Sequence, residues 1–165
     1  MGEQGLYNNE AEMLVLVAIL NHPEDYWSIN DVGLVPSDFF MPENRKVMKA
    51  IAAVAADKKA PEIPHVMEEV RLAGGETDDY VARLASEACS IPKAHEFART
   101  VKSLSVSRNL ANVGAKIVDL ARDKRTDYEA AIAEADTLLS GVKRVLPPDE
   151  RSPEASAILE RIWTP

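Results

Sequence analysis

Apolar side chains recur at helical spacing along most of the chain, which predicts an all-α fold. The segment Met13–Leu20 leaves little polar face, so we expect a central, buried helix there. Asn9 is the predicted N-cap of this helix, with Glu12 completing a capping box. A second helix is predicted from Pro42 to Asp57, because proline at the first helical position loses no hydrogen bond.

Two short helices are predicted next, at Val66–Leu72 and near Tyr80–Ala88. Gly74 follows the first of them, where a left-handed residue commonly ends a helix. Together with the two earlier helices they predict a small globular helical head over residues 1–91.

A different pattern begins at Pro92, where apolar residues are spaced alternately four and three apart. After a phase shift beyond Leu104, the spacing resumes at Val106, which predicts one long helix from Pro92 to about Lys124. The same spacing continues on a second helix, which Thr126 and Glu129 are expected to cap. Such seams on successive helices predict an antiparallel hairpin over residues 92–145. The hairpin's own seam, or else a surface that pairs it with another chain, comprises Leu110, Val113, Ile117, Leu120, Ile132 and Leu139.

The spacing alone leaves both alternatives open, and it also allows the hairpin to fold back onto the head in one bundle. If these six residues pair two chains, the substitution Ile117→Asp is expected to shift oligomers towards monomers.

Residues 146–165 read as a linker, Pro147-Pro148, followed by a short helix that Ser152 caps. One short helix is not stable alone in water, so we expect it to dock on a further domain that follows. The residues predicted to dock are Ile158, Leu159, Ile162 and Trp163.

Charge is distributed unevenly in this chain of net charge −8. Residues 1–91 carry seven basic and sixteen acidic side chains. Residues 92–145 carry ten basic and seven acidic side chains, and residues 146–165 carry two basic and four acidic side chains. An acidic surplus argues against a free-standing nucleic-acid binder, whose affinity comes largely from phosphate neutralisation. The acidic head is either a solvated surface or a surface that meets a basic protein partner.

The sequence offers no catalytic constellation. It lacks a Gly-Lys pair, which excludes a phosphate-binding loop, and its histidines, His22, His65 and His95, are far apart with no Cys-x-x-Cys motif. We therefore predict no catalytic residue, no metal and no cofactor in this chain. With a single cysteine, Cys89, no signal peptide and no apolar run of membrane-spanning length, we expect a cytoplasmic protein that does not contact a membrane.

Several short motifs follow one another in an order and spacing that resemble those of a known family. They are Asn9–Glu12, Ala18–Leu20, Pro23-Glu24, Asp38–Phe40, Asn44–Ile51, Gly74-Gly75, Tyr80–Leu84, Ile91-Pro92, Phe97–Lys102 and Ser107–Leu110. Together they resemble the N-terminal region of DnaB-family replicative helicases over residues 8–145, and residues 152–163 stand where that family has its linker helix. Asn44 replaces a frequent histidine, the stretch between Gly75 and Tyr80 is longer and more acidic, and Glu62–His65 replaces the usual helix start. These departures suggest a divergent member, such as one from a phage or plasmid.

The resemblance implies a collar on a hexameric ring, in which hairpins pair subunits into a trimer of dimers. It implies primase and a helicase loader as partners, and a linker helix that docks on the neighbouring motor domain. ATP, Mg²⁺ and single-stranded DNA would be bound only through the motor domain of a full-length parent.

Other functions fit parts of the same pattern. One is the helicase-binding domain of a primase, and another is a stand-alone adaptor or inhibitor that mimics the helicase collar. A helical DNA-binding regulator is a third, for which tight DNA binding by this acidic chain would be the test.

Overall fold

Helices form every regular element in the part of the chain that the structure describes. The structure is a computed structural model that describes residues 5–144, with side chains to residue 142. The predicted all-α class is confirmed over this range. The helices are α1 Asn9–Asn21, α2 Tyr26–Ile29, α3 Pro42–Ala56, α4 Ile63–Leu72, α5 Asp78–Ala85, α6 Ile91–Arg122 and α7 Tyr128–Arg144, with short 3-10 turns at Pro23–Asp25 and Pro36–Asp38.

The chain divides into two compact units, residues 1–105 and 106–165. Helix α6 therefore begins in the first unit and ends in the second. The first unit contains the predicted head and the first half of α6, and the second contains the rest of the predicted hairpin.

Helix α1 is the centre of the first unit, as its uniformly apolar sequence predicts. It packs against α2, α3 and α5, and its side chains from Val15 to Leu20 are buried. Its N-cap is Asn8, whose side chain accepts the Ala11 N–H at 3.0 Å, so the predicted cap at Asn9 is one residue late. Glu12 is not part of a capping box but is buried, with 1% of its surface exposed.

Helices α3, α4 and α5 complete the head. Pro42 occupies the first turn of α3 as predicted. Helix α4 begins at Ile63, earlier than predicted, because Pro64 is also tolerated in a first turn. Its end is a Schellman motif, in which the Gly75 N–H bonds Val70 O at 3.0 Å and the Gly74 N–H bonds Arg71 O at 3.1 Å.

The first half of α6 closes the core of the head. Ala94, Ala98 and Val101 lie in the same cluster of buried side chains as α1 and α3. The predicted head ended at residue 91, whereas the compact unit continues to Ser105.

The turn between α6 and α7 differs in detail from its prediction. Helix α7 begins at Tyr128, and the Thr126 hydroxyl donates to the Asp123 carboxylate within the turn, at 3.1 Å, instead of capping the helix. None of the helices in residues 5–144 combines the length and the apolar character needed to cross a membrane.

Candidate protein-interaction surfaces

The six residues predicted for the hairpin seam or pairing surface lie in two environments. Ile117, Leu120 and Ile132 line one small groove of about 300 Å³ between the end of α6 and the start of α7. Tyr128, Ala131 and Ala135 of α7 line it too. These residues therefore lie along the line where α6 and α7 face each other, and Ile132 keeps 60% of its surface exposed there.

The remaining three residues are not brought to this groove. Val113 and Leu139 are half-buried, and Leu110 keeps 51% of its surface exposed. The predicted docking residues Ile158, Leu159, Ile162 and Trp163 lie outside the described residues.

An apolar stripe on α6 was only partly found from the sequence. Leu110, Gly114 and Val118 follow one another at intervals of four residues, so they share one helix face. Val118 is 46% exposed, and a Cβ built on Gly114 meets no atom within 4 Å. Val118 departs from the four-and-three spacing of the seam and was therefore not predicted as part of it. We call these three residues the α6 stripe.

A buried polar network joins three segments of the head. The Glu12 carboxylate accepts the backbone N–H groups of Phe40 at 2.7 Å and Met41 at 3.2 Å, just before α3 begins. It also accepts an Asn44 amide proton at 2.9 Å, and the Tyr80 hydroxyl donates to the Asn44 carbonyl oxygen. The network ties α1, α3 and α5 together.

A second buried network holds α6 to the loop before α3. Lys102 donates to Asp38 at 3.1 Å and to the Gly33 carbonyl at 3.2 Å, and the Ser105 hydroxyl donates to Asp38 at 2.6 Å. The Val35 N–H also donates to Asp38, at 2.8 Å. The buried charges of Lys102 and Asp38 are thus paired with each other and satisfied by further hydrogen bonds, which offsets the cost of burying them.

One groove in the head is edged by carboxylates. It has a volume of about 610 Å³ and lies between α1, the start of α3 and α5. Four acidic residues line it, and one of them, Glu76, forms an ion pair with Lys46 at 4.0 Å. We call it the acidic groove and define it by its apolar residues Met13, Met41 and Leu84 and by its three other acidic residues, Glu43, Asp79 and Glu87.

Two other features of the head are exposed. A cavity of about 520 Å³ lies beside Gly74-Gly75 and is lined by Lys46 and Lys49. Trp27 is 63% exposed, and its neighbour Ser28 forms a hydrogen bond of 3.3 Å with the His95 ring.

Burial shifts the pKa values of three groups in the head. Burial raises the pKa of Tyr26, of Tyr80 and of the Cys89 thiol, and Lys93 partly offsets the shift at Cys89. These groups lie on different elements, and a thiol with a raised pKa is a poor nucleophile.

One cluster in the described residues could hold a metal ion. His22, Glu24 and Asp25 each offer one ligand atom, and these atoms lie within 4.8 Å of one another. A single histidine beside two carboxylates matches no paired-histidine or Cys-x-x-Cys motif, so this cluster was not predicted from the sequence. Glu24 is largely exposed, so water competes for any ion at this position.

Comparisons with known proteins agree on one family. The family described as DnaB-like helicase N terminal domain matches residues 4–103. The fold is similar to the crystal structure of the N-terminal domain of DnaB helicase from Mycobacterium tuberculosis, with a TM-score of 0.73 and 20% sequence identity, over 84% of this chain and 99% of that one. No curated protein sequence matches the chain at a significant level. The chain belongs to the family of DnaB-like helicase N-terminal domains.

Proposed function

We propose that this chain is the N-terminal collar module of a hexameric replicative helicase. In this proposal its hairpin pairs it with a second copy, and its head recruits primase and a helicase loader. ATP hydrolysis and DNA translocation belong to a motor domain of the parent protein, which would use ATP and Mg²⁺.

The α6 stripe carries the proposal. Leu110 and Val118 expose about half of their surfaces, although both lie on a long helix whose neighbouring face is engaged with α7. Gly114 between them offers no side chain, so another helix can approach the backbone closely. Two exposed apolar side chains on one face, with a glycine between them, form a surface that a second helix can cover.

Helix α7 has exposed apolar side chains of its own, Ile132 and Tyr128, at 60% and 71% exposure. Both also line the groove between the two helices, together with Ile117. A charge at Ile117 would therefore disturb the hairpin itself as well as any pairing. The α6 stripe offers a cleaner test.

Sedimentation of the double variant Leu110→Asp/Val118→Asp tests subunit pairing. We expect the wild-type chain to self-associate as concentration rises. The double variant should associate about a hundredfold more weakly, because two apolar contacts are replaced by desolvated charges.

Leu72→Asp is the matched control, because Leu72 is also an exposed leucine, at 76%, but lies on α4 in the head. It should associate like the wild type. A wild-type chain that stays monomeric at every concentration, or a double variant that associates normally, would contradict the proposal.

A further inference from the structure

The acidic groove combines an apolar floor with carboxylates at its edges. Met13 and Met41 are half-buried and Leu84 is buried, so apolar atoms line its base. Methionine side chains are flexible and polarizable, and they adapt to partners of different shapes. The floor therefore suits the apolar face of a docked segment.

The carboxylates at the edges have few counter-charges. Glu43, Asp79 and Glu87 are exposed, and none of them forms an ion pair within the part of the chain that the structure describes. Arg83 also lines the groove, but its guanidinium lies 5.1 Å from the centre of the Tyr80 ring and forms no ion pair with a described carboxylate. The edges thus present a net negative charge to solvent.

The negative charge of the carboxylates also acts on Tyr80, which lines the groove. Burial raises the pKa of the Tyr80 hydroxyl; Arg83 lowers it, while the carboxylates of Glu43 and Glu12 raise it further. Tyr80 therefore senses carboxylates from both the edge and the buried network.

The groove is also held in shape before anything binds. Tyr80 donates to Asn44, Asn44 donates to Glu12, and Glu12 fixes the backbone of Met41. A site that is already ordered loses little conformational freedom on binding, which favours affinity.

We propose that the acidic groove docks a basic amphipathic helical segment of another protein, with apolar residues on the methionine floor and Lys or Arg side chains against the three carboxylates. The inference rests on the proposed function in that it names the chemistry of one recruited partner. Its geometry and charge are properties of the head alone.

Charge complementarity selects this occupant over two others. The segment 146–165 carries two basic and four acidic side chains, and the head of a second copy is itself strongly acidic. Either would place like charges against Glu43, Asp79 and Glu87. The hairpin of a second copy has a surplus of only three basic side chains, and in the proposed function it is engaged in pairing. A basic partner gains attraction at each of these positions.

Methyl NMR of the full chain locates the binding. The probe is a synthetic amphipathic peptide of leucine and lysine, titrated into protein labelled at its methionine methyl groups. We expect the Met13 and Met41 methyl signals to shift. Those of Met48, which is buried in the core, and Met67, which is outside the groove, should stay in place.

Two further peptides separate the contributions of charge and of the apolar face. Replacing lysine by glutamate should abolish binding, and a scrambled sequence without an apolar face should weaken it. Raising the salt concentration should also weaken binding, because exposed ion pairs are screened.

The triple variant Glu43→Gln/Asp79→Asn/Glu87→Gln tests the carboxylates. We expect the lysine peptide to bind about tenfold more weakly, since each exposed ion pair contributes modestly. The matched control is Glu62→Gln/Glu68→Gln/Glu96→Gln, which removes the same charge from exposed positions outside the groove and should bind like the wild type.

Shifts spread over all methionines, shifts confined to other regions, or equal weakening in both triple variants would overturn the proposal. Sedimentation of the same samples reports subunit pairing separately. Normal pairing without groove binding would refute only this inference, and groove binding without pairing would refute only the pairing function.

Discussion

Single buried polar residues determine how the head is assembled. Glu12 lies in the most apolar segment of the chain, yet it is the acceptor that orders the backbone before α3. The sequence placed it in a helix correctly, but spacing cannot show that a carboxylate will meet backbone N–H groups from residues 40 and 41. Asp38 and Lys102 are separated by 64 positions, so their ion pair could not be predicted from the sequence either.

Glu12→Gln is expected to destabilise the head by about 2 kcal/mol, measured as the free energy of unfolding in urea. The Glu12 carboxylate accepts hydrogen bonds from Phe40, Met41 and Asn44. A glutamine amide would replace one of the two accepting oxygens by an NH₂ group, which cannot accept a hydrogen bond. Glu10→Gln is the control, because Glu10 is exposed in the same first turn. Equal stability of the two variants would show that the network contributes nothing.

At the scale of helices, periodicity predicted most elements and placed their ends less well. Asn8 and Asn9 are both good N-caps, so the choice between them depends on the tertiary position of α1. Helix α6 was predicted nearly to its full length. The phase shift between Leu104 and Val106 coincides with the boundary of the two units at Ser105, and this signal could have placed that boundary.

Gly114→Ala is expected to have two opposite effects on α6. It should stabilise the isolated chain by up to about 1 kcal/mol, because alanine is the better helix former and its Cβ meets no atom within 4 Å. It should also weaken self-association, because the added methyl group keeps a neighbouring helix at a distance.

Gly141→Ala provides the comparison on α7, where a Cβ is equally free of contacts. Both variants should raise the stability measured at low concentration, but only Gly114→Ala should shift the sedimentation equilibrium. Equal self-association of the two variants would place the pairing surface elsewhere than the α6 stripe.

At the scale of the whole molecule, the two units differ in how much they bury. The head has a continuous apolar core from Ala11 to Val101, whereas none of the side chains described from residue 109 to 142 is fully buried. The change in the spacing of apolar residues predicted that a globular head is followed by a hairpin. The spacing could not show whether an apolar seam joins two helices of one chain or of two chains, because both kinds of seam use the same spacing.

Amide hydrogen exchange should therefore depend on concentration in the hairpin alone. In dilute protein we expect rapid exchange from residue 109 to residue 142, because few buried contacts oppose local opening there, and slow exchange in α1 and α3. At high concentration a paired hairpin gains protection while the head does not change. The Leu110→Asp/Val118→Asp variant should exchange rapidly at both concentrations. A hairpin that is equally protected in dilute protein would mean that it is stable without a partner, and the pairing function would lose its physical basis.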